Sequence, residues 1–144
     1  MKKISLFSDG SALGNPGLGG YCAILRYKDN EKIISGAQRD ATNNQMELLA
    51  VIEGLNALKE PCEVHIVSDS SYVVKGINEW LESWVKRGFA KVKNPDMWRR
   101  YIEVSKPHIV KATWVRGHAG HEENERCDVI AKAQAETLRT PTDI

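Results

Sequence analysis

The chain is short of nearly everything that would mark a membrane or disulfide-built protein. No run approaches the ~20 apolar residues needed to cross a bilayer. The segment Met1-Lys2-Lys3-Ile4-Ser5 has no apolar signal core and leads straight into a strand pattern. Cytoplasmic location and no membrane partner are the expectations. Cysteines number only three, Cys22, Cys62 and Cys127, odd and widely spaced, which excludes a disulfide framework and leaves reduced, buried thiols. No Cys-x-x-Cys accompanies His118, His121 and Cys127, so a zinc site is not expected. Net charge is nearly absent too, at +1. Low-complexity stretches, interdomain linkers and heptads are missing, and one monomeric domain with no obligate protein partner is expected. That domain covers 1–138, with 139–144 as a loose tail.

What is present is an echo. Ile4-Ser5-Leu6-Phe7-Ser8 runs into Asp9-Gly10-Ser11, and Val64-His65-Ile66-Val67-Ser68 runs into Asp69-Ser70-Ser71. Both read as apolar strands ending in Ser-Asp. If the strands are parallel neighbours, the two carboxylates emerge at the edge where α/β proteins place their chemistry. Adjacent anions repel unless a proton or a metal neutralises them.

Read in order, the pattern predicts strands over 3–8, 21–27, 32–38, 63–68 and 109–115. Helices are expected from Asn43 or Asn44 to 59, over 71–85 with a break at Gly76, over 95–106 and over 122–138. The glycine-rich stretch 10–20 reads as a loop. The order gives an α/β fold with three layers. A five-stranded mixed sheet opens with an antiparallel meander and carries helices on both faces.

Two further acids fall where packing faces are expected. Glu47 shares a helical stripe with Ala50, Val51, Gly54 and Leu58, and Asp128 shares one with Ala131 and Ala135. With Asp9 and Asp69 they make four carboxylates at element ends on one rim, a donor set suited to Mg2+, with Mn2+ as the alternative. Two ions held there would suit in-line displacement at phosphorus. His118, between glycines in Gly117-His118-Ala119-Gly120-His121, is a candidate proton shuttle. His121 falls near a helix cap, and His65 reads as sheet packing. The glycine-rich stretch lacks the Gly-Lys-Ser/Thr ending of a P-loop. Lys86, Arg87, Lys91, Lys93, Arg99 and Arg100 cluster against one acid, Asp96, and interleave with Trp80, Trp84, Phe89 and Trp98. Cations and rings in that mixture suit a nucleic-acid strand. Packing in a helix pair is the preferred reading for Trp98.

Four blocks in order complete the picture. They are Ser8-Asp9-Gly10-Ser11 with Gly14-Asn15-Pro16-Gly17, Thr42-Asn43-Asn44-Gln45-Met46-Glu47-Leu48, Ser68-Asp69-Ser70, and Trp114-Val115-Arg116-Gly117-His118-Ala119-Gly120-His121 running into Glu122-Glu123-Asn124-Glu125-Arg126-Cys127-Asp128. Through them nearly the whole chain resembles type 1 ribonuclease H. The resemblance implies an RNase H-like fold and a metal-dependent endonuclease that cuts the RNA strand of RNA–DNA hybrids, leaving 5′-phosphate and 3′-hydroxyl ends. It implies Asp9, Glu47, Asp69 and Asp128 as metal ligands, His118 as the catalytic histidine and Glu125 as an assisting acid. Asn15, Asn43, Asn44 and Gln45 would line the hybrid's minor groove, where the 2′-hydroxyl tells RNA from DNA. Ser70 would join the substrate contacts. Thr42 and Asn94 would bind a DNA-strand phosphate, and Trp80, Trp84, Lys86 and Arg87 the DNA strand. The segment between Trp84 and Trp98 is shorter than in the longer bacterial members. Asp40 stands where a basic residue is expected, with Arg39 beside it as the candidate substitute. Rival readings are a DNA-directed nuclease of the same superfamily, a non-catalytic hybrid-binding module and a phospho-aspartate receiver. Only the first of these also uses all four acids.

Overall fold

The computed structural model describes residues 1–117 and 121–139. The tail positions 140–144 and His118 lie outside the described residues. Strands β1 (Lys2–Gly14), β2 (Gly17–Tyr27) and β3 (Asn30–Ala41) form an antiparallel meander. Helix α1 (Asn43–Asn56) follows, and then β4 (Cys62–Ser68), which returns parallel to β1. Next come α2 (Ser71–Lys75), a π-helical turn (Gly76–Trp80), α3 (Leu81–Lys86) and α4 (Pro95–Ser105). β5 (Ile109–Trp114) pairs parallel to β4, and α5 (Glu122–Glu136) closes the described fold. The sheet order β3-β2-β1-β4-β5 is the expected five-stranded mixed sheet.

Alternation along the strands sorts the residues between two cores. Ile4, Leu6, Ala23, Leu25, Val64 and Ile66 face α1, α2 and α4. Cys22 and Ile24, with Phe7 beside them, face Cys127 and Ala131 of α5. All three cysteines are free and buried. Trp98 is fully buried, and its ring meets Tyr72, Trp84 and Tyr101 edge-on at centroid distances of 5.8, 5.2 and 5.7 Å. At the expected break, Gly76 is itself helical and opens the π-helical turn, and a Cβ there would lie 2.4 Å from the Trp98 ring. Ion pairs hold α5 to the meander: Arg26 joins Glu123 at 2.5 Å, and Arg126 joins Glu31 at 2.7 Å.

Two expectations need correction. The stretch 10–20 is a hairpin with Asn15-Pro16 at its tip, not a loop. Its glycines serve close packing. A Cβ on Gly20 would lie 1.9 Å from the Ala131 carbonyl oxygen, so β2 meets α5 backbone to backbone. The cap of α1 is Thr42 instead of an asparagine. Thr42 Oγ1 accepts from Gln45 N at 3.2 Å, and Gln45 Oε1 accepts from Thr42 N at 3.0 Å, a reciprocal capping box.

Candidate active site

The parallel register places Ser8 beside Ser68, so Asp9 and Asp69 leave adjacent strands at one rim. Gly10 then brings in the third acid. A Cβ on Gly10 would lie 2.2 Å from the Met46 carbonyl carbon and 2.3 Å from Glu47 N. The first turn of α1 therefore rests directly on the β1 backbone, and Glu47 is delivered to Asp9. One carboxylate oxygen from each of Asp9, Glu47 and Asp69 lies within 4.8 Å of the others. The β5 side closes on Asp69. Trp114 Nε1 donates to the Asp69 carbonyl at 3.0 Å, and Val115 N donates to Ser68 O at 2.9 Å.

Asp128 and Glu125 line a small cleft with Asp9, Asp69, Arg116, His121 and Asn124. Asp128 stands outside the tight triple, and its Oδ2 accepts from Lys132 Nζ at 3.1 Å. Its expected stripe is also shifted. The helix face that packs is Asn124, Cys127, Ala131 and Ala135, and Asp128 sits at its margin.

Burial, and after it the Asp69 charge, raises the Asp9 carboxyl from 3.8 to about 7. Burial and the charges of Asp9 and Asp69 hold Glu47 well above the ordinary carboxylate range. Glu47 Oε2 is buried without a hydrogen-bond partner among the described residues. Three acids forced together, one with an orphaned oxygen, fit a divalent cation. The donors are all hard oxygens, the preference of Mg2+ and Mn2+.

The raised values fix the sign of a stability effect. Between the unfolded value of Asp9 near 3.8 and its folded value near 7, the folded chain binds more protons than the unfolded chain. Stability therefore falls as pH rises through that window. In chelator, the unfolding free energy is expected to drop by roughly 2–4 kcal/mol from pH 4.5 to 7, at about 1.4 kcal/mol per pKa unit. Glu31, held down at about 2 by Arg126 and Arg26, acts with the opposite sign as its unfolded counterpart loses its proton near 4.5, so the fall shows in the upper part of the window. Urea unfolding across the window checks it, and divalent cation should flatten the curve.

Asn43 Oδ1 accepts from Ala12 N at 2.7 Å, and Asn15 Oδ1 accepts from Asn43 N at 3.1 Å, joining the hairpin tip to α1. Asn44 is exposed beside them. Gln45 Nε2 donates to Asn94 Oδ1 at 3.2 Å, so the Thr42 cap and Asn94 are linked. Trp84 is half-buried against Trp98, while Trp80 is 39% exposed and tilted onto Trp84. Lys86 and Arg87 are exposed at the end of α3. Ser70 is buried and caps α2 by accepting from Val73 N at 3.2 Å. Arg39 does not turn to Thr42 and Asn94. Its Nη2 donates to Leu138 O at 2.8 Å, at the far end of α5. His65 bonds Thr113 Oγ1 across the sheet at 2.7 Å, the packing role expected of it.

Asn124 was not visible as a site residue in the sequence. Its Nδ2 donates to Val67 O at 3.0 Å, tying α5 to the strand that carries Asp69. Its place at the third position of an acid-rich helix start was the only signal. Arg116 gave none beyond its motif.

A three-layer α/β fold with an oxygen-donor cradle at the carboxyl ends of parallel strands defines the class of metal-dependent phosphodiester-cleaving folds. The RNase H family model matches residues 1–136, and the chain belongs to the RNase H family. It is 62% identical over 138 residues to a ribonuclease H of Sulfurovum sp., covering 96% of this chain and 94% of that one. A ribonuclease HI of Helicobacter pylori is 57% identical over 136 residues, covering 94% of this chain and 95% of that one. Among solved structures, a type 1 RNase H with the type 2 active-site motif superposes with TM-score 0.87 at 26% identity, over 97% of this chain and 75% of that chain. Another type 1 RNase H, solved in complex with an RNA/DNA hybrid, shares the fold with TM-score 0.68 at 21% identity, covering 94% of this chain and 98% of that chain.

Proposed function

We propose that this chain is a ribonuclease H that hydrolyses the RNA strand of RNA–DNA hybrids, with Mg2+ as its ion and Mn2+ as a substitute. The observation that carries the reading is the Asp9, Glu47, Asp69 triple at the strand rim, in a chain 62% identical to a ribonuclease H. Asp9, Glu47 and Asp69, with Asp128 completing the set, would hold divalent cations, which when bound would supply an activated water and stabilise the leaving 3′-oxygen. The products carry 5′-phosphate and 3′-hydroxyl ends.

The remaining work falls to side chains. Asn15 and Asn43 spend their carbonyl oxygens inward, so their amide N–H groups are left for substrate. The minor groove of a hybrid offers base acceptors and 2′-hydroxyls, which suits such donors. Asn44 and Gln45 extend this row. Trp80 and Trp84, with Lys86 and Arg87, receive the DNA strand. His118, outside the described residues, is assigned the proton transfer, and Glu125 assists at the cleft. The protein acts as a cytoplasmic monomer. Among the described residues no helix is long and apolar enough to cross a membrane.

The test offers end-labelled RNA–DNA hybrid, RNA duplex and DNA duplex with Mg2+, with Mn2+ and with chelator. The RNA strand of the hybrid is expected to be cut with either metal and left intact in chelator. Cleavage of DNA strands, or of hybrid in chelator, would overturn the proposal.

A further inference from the structure

Beneath the acid rim, one pair of thiols has no part in the reaction described above. Cys22 of β2 and Cys127 of α5 are both free and both fully buried. They lie in one cluster with Ile24 and Ala131, and the two thiols are hydrogen-bonded to each other. Cys127 Sγ also comes within 3.4 Å of the Phe7 carbonyl oxygen, so it rests directly on the sheet. Cys62 belongs to the other core, which holds no second cysteine among the described residues.

The backbone geometry suits a bridge. β2 and α5 run past one another, with Arg26 paired to Glu123 at one end and Gly20 pressed on the Ala131 carbonyl at the other. Cys22 is two residues from Gly20, and Cys127 is four from Ala131. Each step is roughly 6–7 Å along its element, so the two thiols occupy the next rung of the same contact. A disulfide needs Cα atoms about 4.4–6.8 Å apart, a spacing that larger side chains on this face would prevent. The place of the pair gives such a bridge a consequence. Cys22 stands opposite Asp9 in the β1–β2 ladder, and Cys127 directly precedes Asp128. A sulfur–sulfur bond of about 2.05 Å is far shorter than the contact of two unbonded sulfurs, so closing it draws the first turns of α5 toward β2. Asp128 rides on the segment that moves.

We propose that Cys22 and Cys127 form an oxidative modification site: a small-molecule disulfide converts the buried dithiol to a Cys22–Cys127 disulfide, which displaces Asp128 and silences the enzyme until it is reduced. The effect on turnover rests on the ribonuclease reading above; the bridge itself does not. The thiolate of one cysteine attacks a sulfur of the small disulfide and expels one small thiolate. The thiolate of the other cysteine then attacks the protein sulfur of the mixed disulfide and expels the second. Both cysteines are oxidised, the small disulfide is reduced to two thiols, and the two cysteine protons pass to the departing thiolates. Neither thiol meets solvent, so the reaction waits for α5 to lift from β2. In a reducing compartment the dithiol is the resting state, and a bridge of this kind is transient.

The test incubates the folded protein with oxidised glutathione at neutral pH. It reads intact mass, cross-linked peptides, hybrid cleavage, and the rise in melting temperature that Mg2+ produces. A Cys22–Cys127 cross-link is expected, with the chain lighter by two hydrogens. Turnover should fall at least ~10-fold, as a displaced active-site group requires, and return with dithiothreitol. The Mg2+-induced rise in melting temperature should shrink in the oxidised form, because a displaced Asp128 weakens cation binding. Cys22→Ala and Cys127→Ala should each keep their activity in the oxidant. Peptide mapping on the wild type decides the bridge even where a variant folds poorly. Oxidation confined to Cys62, or glutathione adducts without a Cys22–Cys127 cross-link, would overturn the site. A cross-linked chain with unchanged turnover would overturn the silencing, and an equal Mg2+ effect in both forms would overturn the displacement of Asp128. So would a loss of turnover that persists in Cys22→Ala, since it would place the oxidation elsewhere. If the reduced protein fails to cut hybrid, the ribonuclease reading fails, and the cross-link map with the Mg2+ effect still decides this proposal.

Discussion

Asp9→Asn is expected to reduce hybrid hydrolysis by at least about 10²–10³-fold, the loss typical of removing one essential charge-stabilising group. Hybrid binding should be largely retained, since the change removes a cation ligand and no phosphate contact. The same variant should be more stable than the parent in chelator. Asp9 is 6% exposed and shares its surroundings with Glu47 and Asp69, so neutralising it relieves repulsion that the folded state alone carries. A melting temperature raised by several degrees, with turnover lost, is a pairing that a simple folding defect does not produce. Single-turnover cleavage with filter binding, and a thermal melt in chelator, read both. Full activity at saturating Mg2+ would remove Asp9 from the site.

Gly10→Ala is the second large effect, and it acts through packing alone. The added methyl would lie 2.2 Å from the Met46 carbonyl carbon, and backbone cannot swing aside as a long side chain can. Overpacking of this kind costs roughly 3 kcal/mol, or about 10 °C for a domain of this size. Relief comes from lifting α1 off β1, which draws Glu47 away from Asp9. A displacement of roughly 1 Å is enough to cost ~10²-fold in rate. Denaturant melts and turnover measured well below the melting temperature separate the two losses. An unchanged kcat in folded Gly10→Ala would show that Glu47 tolerates displacement.

The acid triple is legible in the sequence because its signal is local. Asp9 and Asp69 end matching strand patterns, and Glu47 interrupts a small-residue stripe. Asp128 was found by the same logic, yet Cys127 takes the centre of the packed face and leaves Asp128 at the margin. The glycine-rich stretch misled because a glycine that opens a turn and one that admits a neighbouring backbone look alike in one dimension. Gly10 and Gly20 are of the second kind, and the meander is accordingly longer than its apolar runs. Asn43 and Asn44 read as caps by residue type, but Thr42 wins through Gln45 three positions on. Arg39 and Tyr72 have partners 99 and 26 residues away respectively, in Leu138 and Trp98. No window along the chain contains that information.

The central place of β1, flanked by β2 on one side and β4 on the other, has a bearing on how the chain is made. The meander pairs within itself, so β1, β2 and β3 can close on one another before β4 is available. Asp9 then waits in water, since the strand that brings Asp69 has not been synthesised. Each later acid arrives against growing repulsion, and the last partner, Asp128, comes with the final helix. A chain lacking α5 lacks Asp128 and the ion pairs that join Arg26 and Glu31 to that helix, so the rim is complete only once the last helix has docked.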